Sequence, residues 1–175
     1  MVEVTLTLVK DVVTIVGVIA GFTYYMITVR NANKTRKTQI LSQAYSRLNE
    51  ESWKRFLELL KMEWTDYDDF ENKYGSDNNP DNYAKRMTEF GVYENIGILL
   101  KNGLIEPTTL YDLYGGRSSW MWDKFGPIIL VQRVQYSIPE FFSNFEYLVK
   151  ELTEVNKAKG YEVQIPENYT KYIKQ

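Results

Sequence analysis

The chain has 175 residues, a length typical of one domain or of one domain with an anchor. Its 21 basic and 23 acidic residues nearly balance, so the charge gives no reason to expect a nucleic-acid partner. The sequence contains neither Cys nor His. Disulfides, thiolate metal sites and Ser-His-Asp catalysis are therefore excluded, which leaves carboxylate, Lys or Tyr chemistry and cation sites built from oxygen ligands.

The first predicted element is an uncharged stretch of 18 residues from Val12 to Val29. A helix of that length spans about 27 Å, close to the hydrocarbon thickness of a bilayer. The stretch is apolar on all faces, whereas a helix of a soluble core normally carries a single apolar stripe. A cleaved signal peptide would have its basic residues before the apolar stretch, and here they follow it. The sequence therefore predicts a transmembrane helix.

The orientation of that helix follows from its flanks. Four basic residues lie just beyond the apolar stretch: Arg30, Lys34, Arg36 and Lys37. The basic flank of a membrane helix normally stays in the cytoplasm. We therefore expect the N-terminus outside and the domain in the cytoplasm. The four basic residues either set this topology alone or also contact anionic lipid. Two Asn-x-Thr sequons, at Asn33 and Asn168, favour the opposite orientation, but such triplets often arise by chance.

Gly17 and Gly21 form a G-x-x-x-G pattern inside the apolar stretch. Two glycines four residues apart lie on one helix face and let a second backbone approach closely. One interpretation is packing against another transmembrane helix, either of a second copy or of another membrane subunit. The preferred interpretation is that glycine is simply common in membrane helices.

The next segment, residues 31–37, is either a linker or a continuation of the anchor helix. From Thr38 the apolar residues recur at helical spacing to about Glu63. Thr65 is predicted as the N-cap of a short helix that ends at Gly75.

Asn79 followed by Pro80 predicts the start of a long helix that runs to about Lys101. Pro107 opens a short helix that we expect to end at the glycine pair at 115–116.

An aromatic helix then follows, and Pro127 is expected to kink or break it. The S-x-x-E pattern of residues 137–140 predicts the cap of a last amphipathic helix that ends at Gly160. No segment alternates apolar and polar residues for long enough to predict a sheet. The predicted fold is all-α: an anchor and flank in residues 1–37, an irregular bundle of five to six helices in residues 38–160, and a polar tail in residues 161–175.

Three groups of charged residues are candidates for chemistry. The acidic residues between Asp66 and Glu71 are interpreted either as a cation site or, preferably, as carboxylates that stabilise a helix N-terminus. Glu89 and Glu94 on the long helix suggest a carboxylate-based enzyme or an ion-binding protein, although an ion pair between Arg86 and Glu89 is the simpler interpretation.

Asp112 and Arg117 flank the glycine pair at 115–116 and are predicted to pair. None of these groups places a nucleophile beside a base. We therefore expect no catalytic residue, no metal site, no cofactor and no enzyme activity.

Aromatic residues cluster around the same glycine pair together with one arginine. Such a set is typical of a protein interface or, preferably, of a core. The candidate interface residues are Tyr111, Tyr114, Arg117, Trp120 and Trp122.

The order of these features is similar to that of a known family. The segment GVYENIGILLKNGLIEPTTLYDLYGG (Gly91–Gly116), the Trp-bearing helix and FEYL (Phe145–Leu148) carry the likeness, which covers about residues 40–155. The chain resembles an uncharacterised prokaryotic family of small single-pass membrane-anchored proteins. The resemblance implies a helical cytosolic domain of unknown function and supplies no catalytic residue.

The sequence thus predicts a membrane-tethered, non-enzymatic interaction or accessory module at the cytoplasmic face. Its expected partners are membrane lipid and either another protein, another transmembrane subunit or a second copy. The alternatives are a small accessory subunit of a larger membrane complex and a carboxylate-based enzyme or ion-binding protein.

Overall fold

A computed structural model describes residues 2–160. The regular secondary structure of this part is entirely helical, which confirms the all-α prediction. The helices are α1 (Val2–Ser46), α2 (Glu50–Leu60), α3 (Tyr67–Tyr74), α4 (Pro80–Lys101), α5 (Pro107–Gln135) and α6 (Ser143–Lys159). The chain divides into two compact units between Gln43 and Ala44. The tail predicted for residues 161–175 lies outside the described residues.

The first unit contains α1 as far as Gln43, and α1 is a single helix of 45 residues that continues through residues 31–37 and ends at Ser46. One stretch of it is long and apolar enough to cross a membrane, and none of that stretch is buried within the protein. Thr14 and Thr28 donate their hydroxyls to the carbonyls of Lys10 and Tyr24, one turn earlier, at 2.8 and 2.9 Å. These polar groups are therefore satisfied inside the helix, as an apolar environment requires.

The helix predicted from residue 38 to about residue 63 is in fact two helices. α1 ends at Ser46, and Asn49 caps α2 by accepting a hydrogen bond from the Ser52 backbone N–H at 2.9 Å. An Asn at the N-cap accepts a hydrogen bond from a backbone N–H in the first turn, which otherwise lacks a partner, and so allows a new helix to begin. The apolar residues keep their helical spacing across the break, so the spacing alone does not reveal it.

The start of α4 agrees with the sequence, and the N-cap of α3 differs by one residue. α4 starts at Pro80, and Asn79 accepts a hydrogen bond from the Asn82 backbone N–H at 3.1 Å, which confirms the predicted cap. The N-cap of α3 is Asp66 rather than Thr65, because its carboxylate accepts the Asp69 backbone N–H at 2.9 Å.

α5 contradicts the expected break at the glycine pair. It is one helix of 29 residues that passes through Gly115, Gly116 and Pro127. Each glycine costs a helix roughly 1 kcal/mol relative to Ala, but tertiary packing along the helix outweighs this propensity. The buried residues of α5 run from Leu110 to Gln132, so packing supports it on both sides of the glycines.

The start of α6 also differs from the prediction. Ser137 and Phe142 both have a positive φ, and α6 begins after Phe142 without any side-chain cap from the preceding residues. The predicted S-x-x-E cap at residues 137–140 is therefore wrong.

The core of the second unit forms where α4 and α5 pack against α6. A Cβ added at Gly97 of α4 would overlap the backbone oxygen of Asn144, so only glycine permits this approach of α4 to α6. Aromatic rings fill much of the core, with the Tyr93 and Phe145 rings stacked at 4.7 Å between centroids. The fully buried rings are Phe56, Phe70, Phe90, Tyr93, Tyr114, Phe125 and Phe145.

Candidate functional site

A buried charge cluster joins α2, α4 and α5. Glu89 of α4 is fully buried, and its Oε1 lies 2.7 Å from Nη2 of Arg117 on α5. Its other oxygen, Oε2, accepts a hydrogen bond from Nε of Arg55 on α2 at 3.1 Å. We call these residues, with Tyr93 and Ser52, the Glu89 cluster. One carboxylate thus pairs with two guanidinium groups from two different helices.

Further hydrogen bonds join Tyr93 and Ser52 to the cluster. The Tyr93 hydroxyl donates to Glu89 Oε1 at 2.8 Å, and Arg117 donates to the carbonyl oxygen of Ser52 at 2.7 Å and to its hydroxyl at 3.2 Å. Burial, followed by the charge of Glu89, raises the pKa of Tyr93 far above its ordinary value. The phenol therefore stays protonated, and both oxygens of the Glu89 carboxylate accept hydrogen bonds within the cluster.

The ion pair predicted between Arg86 and Glu89 is wrong. The Arg86 side chain is fully buried, donates to Asn82 Oδ1 at 3.0 Å and to the carbonyl oxygen of Tyr74, and lies 4.5 Å from the Phe70 ring centroid. Its Nη1 has no hydrogen-bond partner. Burial lowers the pKa of Arg86, and the charge of Glu71 opposes that shift. The two residues are three apart on α4, but Glu89 takes its cations from neighbouring helices.

The pair predicted between Asp112 and Arg117 is also wrong. Asp112 Oδ1 lies 2.7 Å from Nζ of Lys159 on α6, whereas Arg117 is buried against Glu89. Asp112 and Arg117 are five residues apart on one continuous helix and so face different directions. The prediction failed because it assumed a turn between them.

Glu94 is engaged by the start of α6. Its Oε2 accepts the backbone N–H of Phe145 at 2.8 Å, and its Oε1 accepts the side-chain amide of Asn144 at 2.7 Å. Phe145 lies in the first turn of α6, where backbone N–H groups lack partners within the helix. Glu94 therefore acts as an N-cap contributed by a different helix.

The acidic residues of α3 stabilise the start of that helix. Asp69 accepts the backbone N–H of Thr65 at 3.0 Å and pairs with Lys73 at 2.7 Å, and the Lys73 hydrogen bond lowers the pKa of Asp69. Within residues 2–160, no three acidic side chains gather closely enough to hold a metal ion. The geometry agrees with the interpretation as a helix N-terminus.

The structure distributes the candidate interface residues between core and surface. Tyr114 and Arg117 are buried, Trp122 packs edge-on against Phe145 at 5.1 Å, and Tyr111 donates to Asn156 at 2.6 Å. Only Trp120 of the five is largely exposed, at 62%.

Two further exposed residues were missed by the sequence analysis. Trp53 and Leu57 of α2 are 45% and 50% exposed, and both Trp53 and Trp120 contact the buried ring of Phe56. We call Trp53, Leu57 and Trp120 the aromatic patch. The i, i+4 spacing of Trp53 and Leu57 marks a helix face, but it does not reveal whether that face is covered.

The anchor residues named from the sequence are all exposed. A Cβ added at Gly17 or Gly21 would meet nothing within 4 Å, so the first unit itself gives no packing reason for either glycine. The four basic residues after the apolar stretch are exposed as well: Arg30, Lys34, Arg36 and Lys37.

A comparison with protein families identifies the family of the chain. The family described as Domain of unknown function (DUF4760) matches residues 12–152. The chain belongs to this family. The match spans the apolar stretch of this DUF4760 protein and its helices as far as Leu152 in α6, and it agrees with the expected resemblance to an uncharacterised family. A search of curated proteins and a search of solved structures find no match.

Proposed function

We propose that this DUF4760 protein is a single-pass membrane protein whose domain acts at the cytoplasmic face as a non-enzymatic module that holds a protein partner. The observation that carries the proposal is that none of the apolar stretch of α1 between Val12 and Val29 is buried within the protein. Apolar surface costs roughly 25 cal/mol per Å² in water, so a helix that is apolar on all faces is stable only in an apolar environment.

The absence of native cysteine allows a clean test of the topology. A single cysteine is introduced at Thr5, before the apolar stretch, or at Ser76, in the exposed loop after α3. Intact cells are treated with a membrane-impermeant maleimide, and lysed cells serve as the control for reactivity. We expect Thr5→Cys to label in intact cells and Ser76→Cys to label only after lysis. The reverse pattern would contradict the cytoplasmic location.

The engagement of the Glu89 and Glu94 carboxylates supports a non-enzymatic role. Glu89 pairs with two arginines, and Glu94 caps α6. A general base needs a free lone pair within reach of a substrate proton, whereas Glu89 is fully buried and arginines engage both of its oxygens.

The function itself is tested by recovery of the full chain from membranes in a mild detergent, followed by mass spectrometry of the bound proteins. We expect a defined partner that is retained by the native chain and lost from the Trp53→Ala, Trp120→Ala variant. The Ile98→Ala variant is the matched control, because Ile98 is 41% exposed on α4, outside the aromatic patch. Recovery of the native chain without any stoichiometric protein would contradict the proposal.

A second candidate function, as a small subunit of a larger membrane complex, is favoured by the open face around Gly17 and Gly21. Leucine at both positions would prevent another helix from approaching that face. In this case Gly17→Leu, Gly21→Leu should abolish co-purification with other membrane proteins, whereas the aromatic-patch variant should retain it.

A further inference from the structure

The basic residues after the apolar stretch lie on a helix and not on a linker. α1 continues without a break through residues 31–37, so each residue there is turned by about 100° from the one before it. Arg30, Lys34 and Lys37 follow each other at helical spacing and therefore share one face of α1. Arg36 lies roughly 100° or more away from each of them. We call Arg30, Lys34 and Lys37 the basic face.

The basic face continues into apolar surface on the side of the apolar stretch. Met26 and Ile27 precede Arg30 by one turn, both are exposed, and they line a shallow groove on α1 together with Arg30. A second groove runs from Ile27 past Arg30 and Lys34 to Lys37. Because α1 rises by about 1.5 Å per residue, the step from Ile27 to Lys37 covers roughly 15 Å. Apolar side chains and cations thus follow each other along one side of the helix.

The distribution of charge along the chain decides the sign of a partner for this surface. Residues 12–49 contain five basic residues and no Asp or Glu, whereas residues 50–175 contain 15 basic and 21 acidic residues. A negatively charged surface therefore attracts this segment of α1 and repels the domain that follows it. The segment lies beside the proposed membrane span, where the phosphates of the lipid headgroups are the nearest anions.

The order of apolar and basic side chains matches the order of groups in a phospholipid. We propose that the basic face binds the phosphate headgroup of an anionic phospholipid, in the leaflet on the side of the domain. The acyl chain lies against Met26 and Ile27, and the phosphate accepts hydrogen bonds from Arg30 and Lys34. A free phosphate ion has no part that would contact the apolar side chains. This binding rests on the proposed membrane anchor, which places Arg30 at the end of the span.

The glycine pair of α1 leaves the basic face open to lipid. Gly17 and Gly21 lie on roughly the opposite side of the helix from Arg30, because they precede it by 13 and nine residues. A second transmembrane helix packed against these glycines would therefore leave the basic face uncovered. The lipid site is compatible with both functions proposed above.

Exchange of two residues within one turn tests the proposal without changing the composition of the chain. In the Ala32→Lys, Lys34→Ala variant the lysine moves to the opposite side of α1, while the number of basic residues that sets the topology stays the same. The purified full chain in a neutral detergent is titrated with phosphatidylglycerol or with phosphatidylcholine, and native mass spectrometry counts the bound lipid. We expect the native chain to bind phosphatidylglycerol about tenfold more tightly than phosphatidylcholine, and the exchange to weaken phosphatidylglycerol binding about fivefold.

Arg36→Gln is the control for loss of charge, because it removes one cation from the same part of α1 but off the basic face. It should bind phosphatidylglycerol nearly as tightly as the native chain. Equal binding of the two lipids by the native chain would overturn the proposal, and so would equal losses from Arg36→Gln and from the exchange. Displacement of phosphatidylglycerol by an equal concentration of inorganic phosphate would identify a site for free phosphate instead.

Two further measurements separate this proposal from the rest of the molecule. Circular dichroism of each variant checks that its helix content is unchanged. Alkaline washing of membranes reports on the anchor alone, since it does not depend on the type of lipid. Release of the native chain would contradict the proposed function, whereas an anchored chain without lipid preference would contradict only the lipid site.

Discussion

Glu89 is the residue on which three helices of the domain depend. It is fully buried, and it contacts Arg117 at 2.7 Å and Arg55 at 3.1 Å. A buried ion pair contributes little compared with a well-packed apolar group, but removing one partner leaves an uncompensated buried charge. The cluster therefore constrains how α2, α4 and α5 are arranged more than it adds to stability.

Replacing Glu89 by Gln should remove the charge that both arginines require. We expect the free energy of unfolding to fall by about 3–5 kcal/mol, because Arg117 remains buried without a counter-charge. Denaturant unfolding of the full chain in detergent micelles, followed by near-ultraviolet circular dichroism, measures the change. Glu58→Gln is the matched control, since its ion pair with Lys85 is exposed and should matter little. Equal effects of the two variants would show that the Glu89 cluster is energetically unimportant.

Tyr114 should make the domain sensitive to alkali. Its hydroxyl donates to the carbonyl oxygen of Ala44 at 2.6 Å, and burial is the main cause that raises its pKa to about 12. The unfolded chain releases this proton near pH 10, so the folded state binds more protons between the two values. The stability from this group is fully present below pH 10 and is lost between pH 10 and 12, at roughly 1.4 kcal/mol per pH unit.

The measurement is the free energy of unfolding against pH in detergent. Tyr114→Phe should lower the stability at pH 8, since it leaves the Ala44 carbonyl without its donor, and should flatten the fall above pH 10 by about one proton. Tyr45→Phe, at a residue that is 65% exposed, controls for the general effect of alkali. A profile of Tyr114→Phe parallel to that of the native chain would contradict the assignment.

At the scale of the helices, the boundaries that local chemistry decides could be predicted from the sequence. Asn79–Pro80 starts α4, and Gly75 follows the end of α3. The start of α6 could not be predicted, because its capping group is Glu94, about 50 residues earlier in the chain. The continuity of α5 through Gly115–Gly116 was missed for a similar reason, since the packing that supports it is contributed by other helices.

Two glycines of α4 should respond in opposite directions to the same substitution. Gly97→Ala places a methyl group on the backbone of Asn144 and should destabilise the domain by about 3 kcal/mol. Gly91→Ala meets nothing within 4 Å and should stabilise the helix by up to about 1 kcal/mol. Thermal unfolding of both full-length variants measures the difference. A stabilised Gly97→Ala variant would contradict the close packing of α4 on α6.

At the scale of the whole molecule, the candidate site was predicted only in part. The sequence identified the residues of an aromatic cluster, but the exposed surface unites Trp120 with Trp53, 67 residues earlier on a different helix. The same limit applies to Glu89, whose importance was suspected but whose cations were not identified. Contacts between side chains of different helices depend on the tertiary fold and cannot be inferred from the periodicity of apolar residues within one helix.

We expect membrane insertion of α1 to depend on the apolar character of residues 12–29 and not on the basic flank alone. Lysine at both Val16 and Ile19 places two charges near the middle of the apolar stretch, at a cost to membrane insertion of about 2.5–3.5 kcal/mol each. We expect this variant to be released from membranes by alkaline carbonate, whereas the native chain sediments with them. Lysine at both Val131 and Val134, which are 39% and 79% exposed on α5, adds the same charge and should leave the chain in the membrane fraction. A native chain that carbonate releases would contradict the transmembrane helix, and then the exposed apolar surface of α1 would have to be covered by protein.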